Sequence, residues 1–254
     1  MVNDQLIYIV TIAIIAIVIG IYFYKNIPEQ IPIVVIAYNN LFFVRNFIDQ
    51  IKYFKNPIII FDNKSTYEPL LQYYKEIKAD LGSKIVIHLL DINEGCHVTR
   101  LYEHILPKIY ILSDPDLQLN PGMPENFSDI LLALSNKYGA YKVGLALDIS
   151  EPEKLLSCKE YEHGQSIIEW ESKYWNKPIA NNEYELYDAP IDTTFCLINS
   201  AYSKETQIRV AGDFTAKHLP WYKGFLKENI SEDELEHWKR GNNSSSILNS
   251  CITD

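Results

Sequence analysis

Four short apolar runs recur between residues 31 and 112, each followed by a stretch of polar or helically spaced residues. They are 31–38 (IPIVVIAY), 57–61 (PIIIF), 84–90 (KIVIHLL) and 108–112 (KIYIL). All are rich in β-branched residues and show little alternation, the pattern of strands covered on both faces. Apolar residues at 43, 44, 47, 48, 51 and 54 predict a helix over 39–54. A second helix is predicted over 68–81, and a third near 99–106 after a polar turn at Gly95. Such alternation predicts an α/β fold with a mostly parallel sheet flanked by helices. Ligands of these sheets bind outside the carboxyl ends of the strands. The polar residues at those ends are therefore the ones that can carry chemistry.

The rest of the chain is less regular. A helix is predicted over 127–138 and strands over 142–149 and 194–198. No linker interrupts 31–240, so this stretch is expected to be one domain, with a ligand-binding half (31–120) and a second half (121–240). A low-complexity tail (241–254, NNSSS) is expected to fray. With 254 residues, 47% of them hydrophobic, the chain can bury one sizeable core. The net charge of −10 excludes a protein that tracks nucleic-acid phosphates. Cys96, Cys158, Cys196 and Cys251 lack metal-binding spacing and are expected to be free thiols.

Residues 6–24 (LIYIVTIAIIAIVIGIYFY) carry no charge and no proline. As a helix they reach roughly 28 Å, against a hydrocarbon core of about 30 Å. The preceding tail (1–5) has an acid and no basic residue, unlike a signal peptide. A retained single-pass transmembrane helix is expected, followed by a linker over 25–30. Lys25, Lys52 and Lys55 follow the span, which places the body on the cytosolic side. Asn-x-Ser sequons begin at Asn63, Asn126, Asn229, Asn242 and Asn243. The first falls where a ligand is expected, which also favours a cytosolic body.

The fourth run is followed at once by Ser113-Asp114-Pro115-Asp116. Carboxylates at i and i+2 of extended chain point to one side and repel unless a cation lies between them. Hard oxygen ligands suit Mg²⁺ or Mn²⁺ carrying a diphosphate. Asp62-Asn63 closes the second run and can accept hydrogen bonds from a base or ribose; an Asx turn is the simpler alternative. Tyr38-Asn39 closes the first run. Asn93, Gly95 and Arg100 follow the third, where Arg can pair with phosphate.

The ordered set YNN, DN-x-S, N-x-G-x-x-x-x-R and SDPD resembles the GT-A glycosyltransferases, close to the family 2 type, over roughly residues 31–120. The resemblance implies a GT-A fold with a Rossmann-like sheet. It also implies a nucleotide-diphosphate sugar donor held by Tyr38, Asn39, Asp62, Asn63, Arg100 and Asp114, and Mn²⁺ or Mg²⁺ on the D-x-D acids. The E-D pair and Q-x-x-R-W segment frequent in family 2 are absent. Instead WESKYW (170–175), APIDTTFCLI (189–198) and RVAGDFTAKHLPWY (209–222) resemble segments of small bacterial and viral transferases. On that likeness the metal ligands are Asp114, Asp116 and His218. Asp192 is expected to be the base of an inverting transfer, with Glu171 and Asp188 as alternatives. Asp148, Glu171 and Trp221 are expected to meet a glycan, lipid or protein acceptor. A sugar nucleotidyltransferase is the alternative enzyme, but no Gly-rich phosphate loop follows the first run. An inactive membrane-anchored binding protein is the non-enzymatic alternative.

Overall fold

The computed structural model describes residues 30–158, 161–180, 183–241 and 245–251. The expected membrane helix, the tail before it and nearly all of the linker lie outside these residues. Among those described, no helix is long and apolar enough to cross a membrane.

The N-terminal half follows the expected alternation. Strands β1 (Ile33–Ala37), β2 (Ile58–Asp62), β3 (Ile85–Leu89) and β4 (Ile109–Ser113) are joined by α1 (Leu41–Ile51), α2 (Glu68–Leu81) and a short crossover containing α3 (Val98–Leu101). The second half contributes β5 (Leu117–Leu119), α4 (Phe127–Tyr138), β6 (Lys142–Leu147), α5 (Ile167–Ser172), β7 (Pro178–Ile179), β8 (Leu186–Asp188), β9 (Cys196–Asn199) and β10 (Gln207–His218). Helices α6 (Phe225–Asn229), α7 (Glu232–Lys239) and α8 (Ser246–Ser250) complete the chain.

Among the described residues the strands form one sheet in the order β3-β2-β1-β4-β9-β6-β10-β8-β7, with β5 added to β10. The first four strands are parallel, as expected. β9 enters antiparallel between β4 and β6, and β8 and β7 extend the sheet antiparallel, so the second half is mixed. Gly144 permits the β6–β9 pairing: a Cβ there would collide with the Cys196 Cβ and the Phe195 carbonyl.

The helical spacing of α1 buries Val44, Phe47, Ile48 and Ile51 in the main core against the sheet. Each such side chain stabilises the fold by about 1.5–3 kcal/mol. The opposite sheet face carries a smaller core around Val34, Phe61, Val98 and Tyr110. A third cluster joins Phe43 to Leu219, Ile230 and Trp238, fixing the C-terminal helices beside α1. The α1 N-terminus lacks a side-chain cap from its own N-cap residue, Asn40. Glu234 of α7 supplies one, accepting the Phe42 N–H at 2.7 Å, and a carboxylate there also suits the helix dipole.

Two expectations are corrected. Cys158 and Cys251 form a disulfide, leaving Cys96 and Cys196 as the free thiols. The tail does not simply fray, because Ser246–Ser250 is helical and Ile247 is buried.

Candidate active site

A cleft of about 530 Å³ opens at the carboxyl ends of β1, β2 and β4. Its strand-end side is lined by Tyr38, Asn40, Asn63, Asn93 and Gly95. The other side is lined by Glu171, Asp192, Arg209, His218 and Trp221. Asp114 and Asp116 lie between them.

Backbone pairing brings the acids and the histidine together. β5 runs antiparallel to the end of β10, with Leu117 opposite His218. The Leu219 N–H then donates to the Asp116 carbonyl at 2.9 Å. In this register His218 Nε2 lies 3.3 Å from Asp116 Oδ2. Asp116 Oδ1 and His218 Nδ1 are buried and make no hydrogen bond, an arrangement that costs free energy unless something else binds there. Burial lowers the His218 pKa, but Asp116 and Asp114 outweigh this and raise it overall.

Asp114 is held differently. Its N–H donates to the Thr193 carbonyl at 3.1 Å, and the Thr193 hydroxyl donates to its Oδ2. Burial, then repulsion from Asp116, pushes its carboxyl up to about 7. Among the described residues no three His, Cys, Asp or Glu side chains converge into a metal cluster. The expected triad of Asp114, Asp116 and His218 is therefore assembled only as the Asp116–His218 pair, with Asp114 turned to Thr193. One carboxylate, one imidazole and open positions suit Mn²⁺ or Mg²⁺ that also takes phosphate oxygens.

The strand-end residues divide by where their side chains turn. Asn63 lines the cleft, fixed by its amide donating to the Gly95 carbonyl and by its Oδ1 accepting the Glu94 N–H, both at 3.1 Å. Asp62 does not line it. Its two oxygens accept the Ser65 N–H and the Tyr74 hydroxyl, each at 2.7 Å, and burial raises its pKa. The turn-holding alternative describes it. Asn39 is 1% exposed, and its Oδ1 accepts the Thr66 and Tyr67 N–H groups. Its φ of 48° turns the side chain into the protein, and the neighbouring Asn40 lines the cleft instead. Arg100 is exposed on α3, outside the lining. Asp148 is also outside it, its Oδ1 accepting the Ser150 N–H at 2.9 Å. Asp188 is exposed at the end of β8, outside the lining.

Asp192 is exposed to the cleft on the loop between β8 and β9. Lys142 holds that loop by donating to the Ile191 and Asp192 carbonyls at 2.7 and 2.6 Å. Glu171 is 1% exposed and pairs with Arg209, whose Nε also donates to the Pro190 carbonyl at 2.9 Å. Burial pushes the Glu171 carboxyl up to about 7 against the pull of Arg209. Trp221 packs 4.7 Å from the His218 ring and edge-on to Tyr161.

No protein-family model matches the sequence, and no curated protein matches it. Solved structures do match. The structure of GalNAc-T7 with UDP, GalNAc and Mn²⁺ aligns at a TM-score of 0.53 and 11% identity, over 83% of this chain and 47% of that one. This chain spans about half the length of that structure. A mannosyltransferase from Pyrobaculum calidifontis, in complex with GDP-mannose and Mn²⁺, aligns at a TM-score of 0.47 and 11% identity, over 78% and 59% of the two chains. The chain has the GT-A fold, as the resemblance implied.

Proposed function

We propose that this protein is a glycosyltransferase. It moves a sugar from a nucleotide-diphosphate donor to a hydroxyl of a glycan, lipid or protein, using Mn²⁺ or Mg²⁺. The observation that carries this reading is the Asp116–His218 contact in the strand-end cleft, with one buried polar atom of each left unpartnered. The fold likeness to GalNAc-T7, whose structure contains UDP, GalNAc and Mn²⁺, supports it.

In this reading Tyr38, Asn40 and Asn63 surround the nucleoside, and Asp116 and His218 hold the cation. A divalent cation there supplies counter-charge to the departing diphosphate. Asp192 faces the cleft with its carboxylate free of hydrogen bonds and ion pairs among the described residues, so it can accept the acceptor hydroxyl's proton. A base on the acceptor side gives inversion at the sugar carbon. Glu171, clamped by Arg209, and Trp221 form the acceptor end. The test is a hydrolysis panel of UDP- and GDP-sugars with the purified chain, with and without Mn²⁺. Metal-dependent release of UDP or GDP is expected; no release, and no nucleotide-dependent shift in melting temperature, overturns the reading.

We read residues 6–24 as a membrane anchor on their sequence alone. For the side on which the body lies, the Cys158–Cys251 disulfide favours an oxidising compartment, against the cytosolic side expected from the flanking lysines. Trapping free thiols in intact cells tests this. A bridge closed in cells supports the oxidising side, and four free thiols support the cytosol.

A further inference from the structure

Two described stretches near the C-terminus, 240–241 and 245–247, border the cleft. Beyond α7 the Arg240 carbonyl accepts the Tyr38 hydroxyl, and the Gly241 carbonyl accepts the Asn93 amide at 3.4 Å. Ser245, Ser246 and Ile247 then line the cleft. The Ser246 hydroxyl donates to Glu162, and Ile247 is 2% exposed within the core that contains Leu155 and Trp221. Cys251 ends the segment in its disulfide with Cys158. The contacts of 240–241 thus lie on the Tyr38–Asn93 side and those of 246–247 on the Glu162–Trp221 side. With it in place the cleft still measures about 530 Å³, within the range of small-molecule sites. It is a wall, not a plug.

A five-residue helix cannot hold itself together in water. Its anchors include the buried Ile247, Leu248 packed against the Phe43–Trp238 cluster, the Ser246 hydrogen bond and the covalent bridge. We propose that residues 245–247 form the cleft wall on the Trp221 side, next to the Asp116–His218 pair where the donor's diphosphate is read to lie, and that the Cys158–Cys251 disulfide positions this wall for nucleotide binding. The proposal rests on the glycosyltransferase reading for the identity of the ligand; the wall and its clamp rest on the contacts alone.

The experiment compares the intact chain with Cys158→Ser, Cys251→Ser and Ile247→Ala. The last keeps the bridge and removes the buried anchor. Two readouts are taken at a temperature where every variant is folded: hydrogen exchange across 245–251, and affinity for UDP and for GDP in the presence of Mn²⁺. The serine variants are expected to lose exchange protection in the segment and to bind the nucleotide at least tenfold more weakly. Ile247→Ala is expected to shift both readouts in the same direction. A disulfide that merely stabilises the fold lowers the melting temperature and leaves the affinity unchanged, and that result overturns the proposal. Retained protection of 245–251 in the serine variants overturns it too, as do four titratable thiols in the unreduced, denatured chain. If the intact chain binds neither nucleotide, the transferase reading falls and the donor-site assignment with it, while exchange still decides the clamp.

Discussion

Thr193 and Asp114 hold each other at both ends of a residue: the Asp114 N–H donates to the Thr193 carbonyl, and the Thr193 hydroxyl donates to the Asp114 carboxylate. This couples the D-x-D turn after β4 to the loop that carries Asp192. Thr193→Val keeps the shape and removes the hydroxyl donor. A hydrogen bond to a charged group contributes about 1.5–3 kcal/mol. The variant is expected to melt lower, and to need more Mn²⁺ for half-maximal nucleotide binding, because Asp114 is then harder to ionise and adds less negative charge beside the Asp116–His218 pair. Calorimetric titration of UDP or GDP at several Mn²⁺ concentrations measures the second effect.

The pH dependence has a definite sign. Asp114 and Glu171 are both pushed up to about 7 by burial, from ordinary values near 4. Between those limits the folded chain keeps protons that the unfolded chain has released. Their contribution to stability is therefore fully present below about pH 4 and is lost as pH rises through about 7. The metal-free protein is expected to become less stable between pH 5.5 and 8, and Asp114→Asn to flatten that fall. Added Mn²⁺ should stabilise more at pH 8 than at pH 5.5, since His218, whose pKa is raised, must be deprotonated to ligate it. Melting curves across this range, with EDTA or with Mn²⁺, check all three.

Asp62 is expected to matter for folding more than for the ligand. Its carboxylate satisfies the Ser65 N–H and the Tyr74 hydroxyl. Asp62→Ala leaves both donors unpaired in a buried place, at a cost on the order of 2–4 kcal/mol. The melting temperature should drop while nucleotide affinity, measured well below it, stays within about twofold. A large loss of affinity in a variant that melts normally would return Asp62 to the nucleoside site.

Helices α2 and α4 fall on the residues that periodicity marks, because burial on one face leaves a 3.6-residue signature. β10 was not legible. Its Gly212-Asp213 resembles a turn, yet it forms a bulge within one long strand, with Gly212 at φ 67°. Periodicity also locates the strand ends without saying which of two adjacent polar side chains faces the ligand. Asn39 turns inward and Asn40 outward; Asp62 turns inward and Asn63 lines the cleft. Arg209 was missed as a site residue because its partner, Glu171, is reached only across the fold. The C-terminal wall was masked by a composition typical of a loose tail, and the cysteine at 251, with its partner at 158, was its one available signal.

The final prediction separates the cation from the base. Asp116 and His218 meet at 3.3 Å, whereas the Asp192 carboxylate faces the cleft from a loop pinned by Lys142. Asp116→Ala and His218→Ala are expected to weaken Mn²⁺-dependent binding of the donor nucleotide, because its diphosphate loses its counter-charge. Asp192→Asn preserves shape and leaves the metal pair untouched, so nucleotide and metal binding should stay near those of the unaltered chain. Its transfer rate should fall by about 10²-fold or more, the usual loss when a general base is removed. Nucleotide titrations with and without Mn²⁺ on all three variants, beside single-turnover rates for Asp192→Asn, decide the assignment. Loss of metal-dependent binding in Asp192→Asn with none in His218→Ala would show that the roles are reversed. In that case the half-buried Asp116–His218 pair would serve to hold β5 against β10 instead of holding a cation.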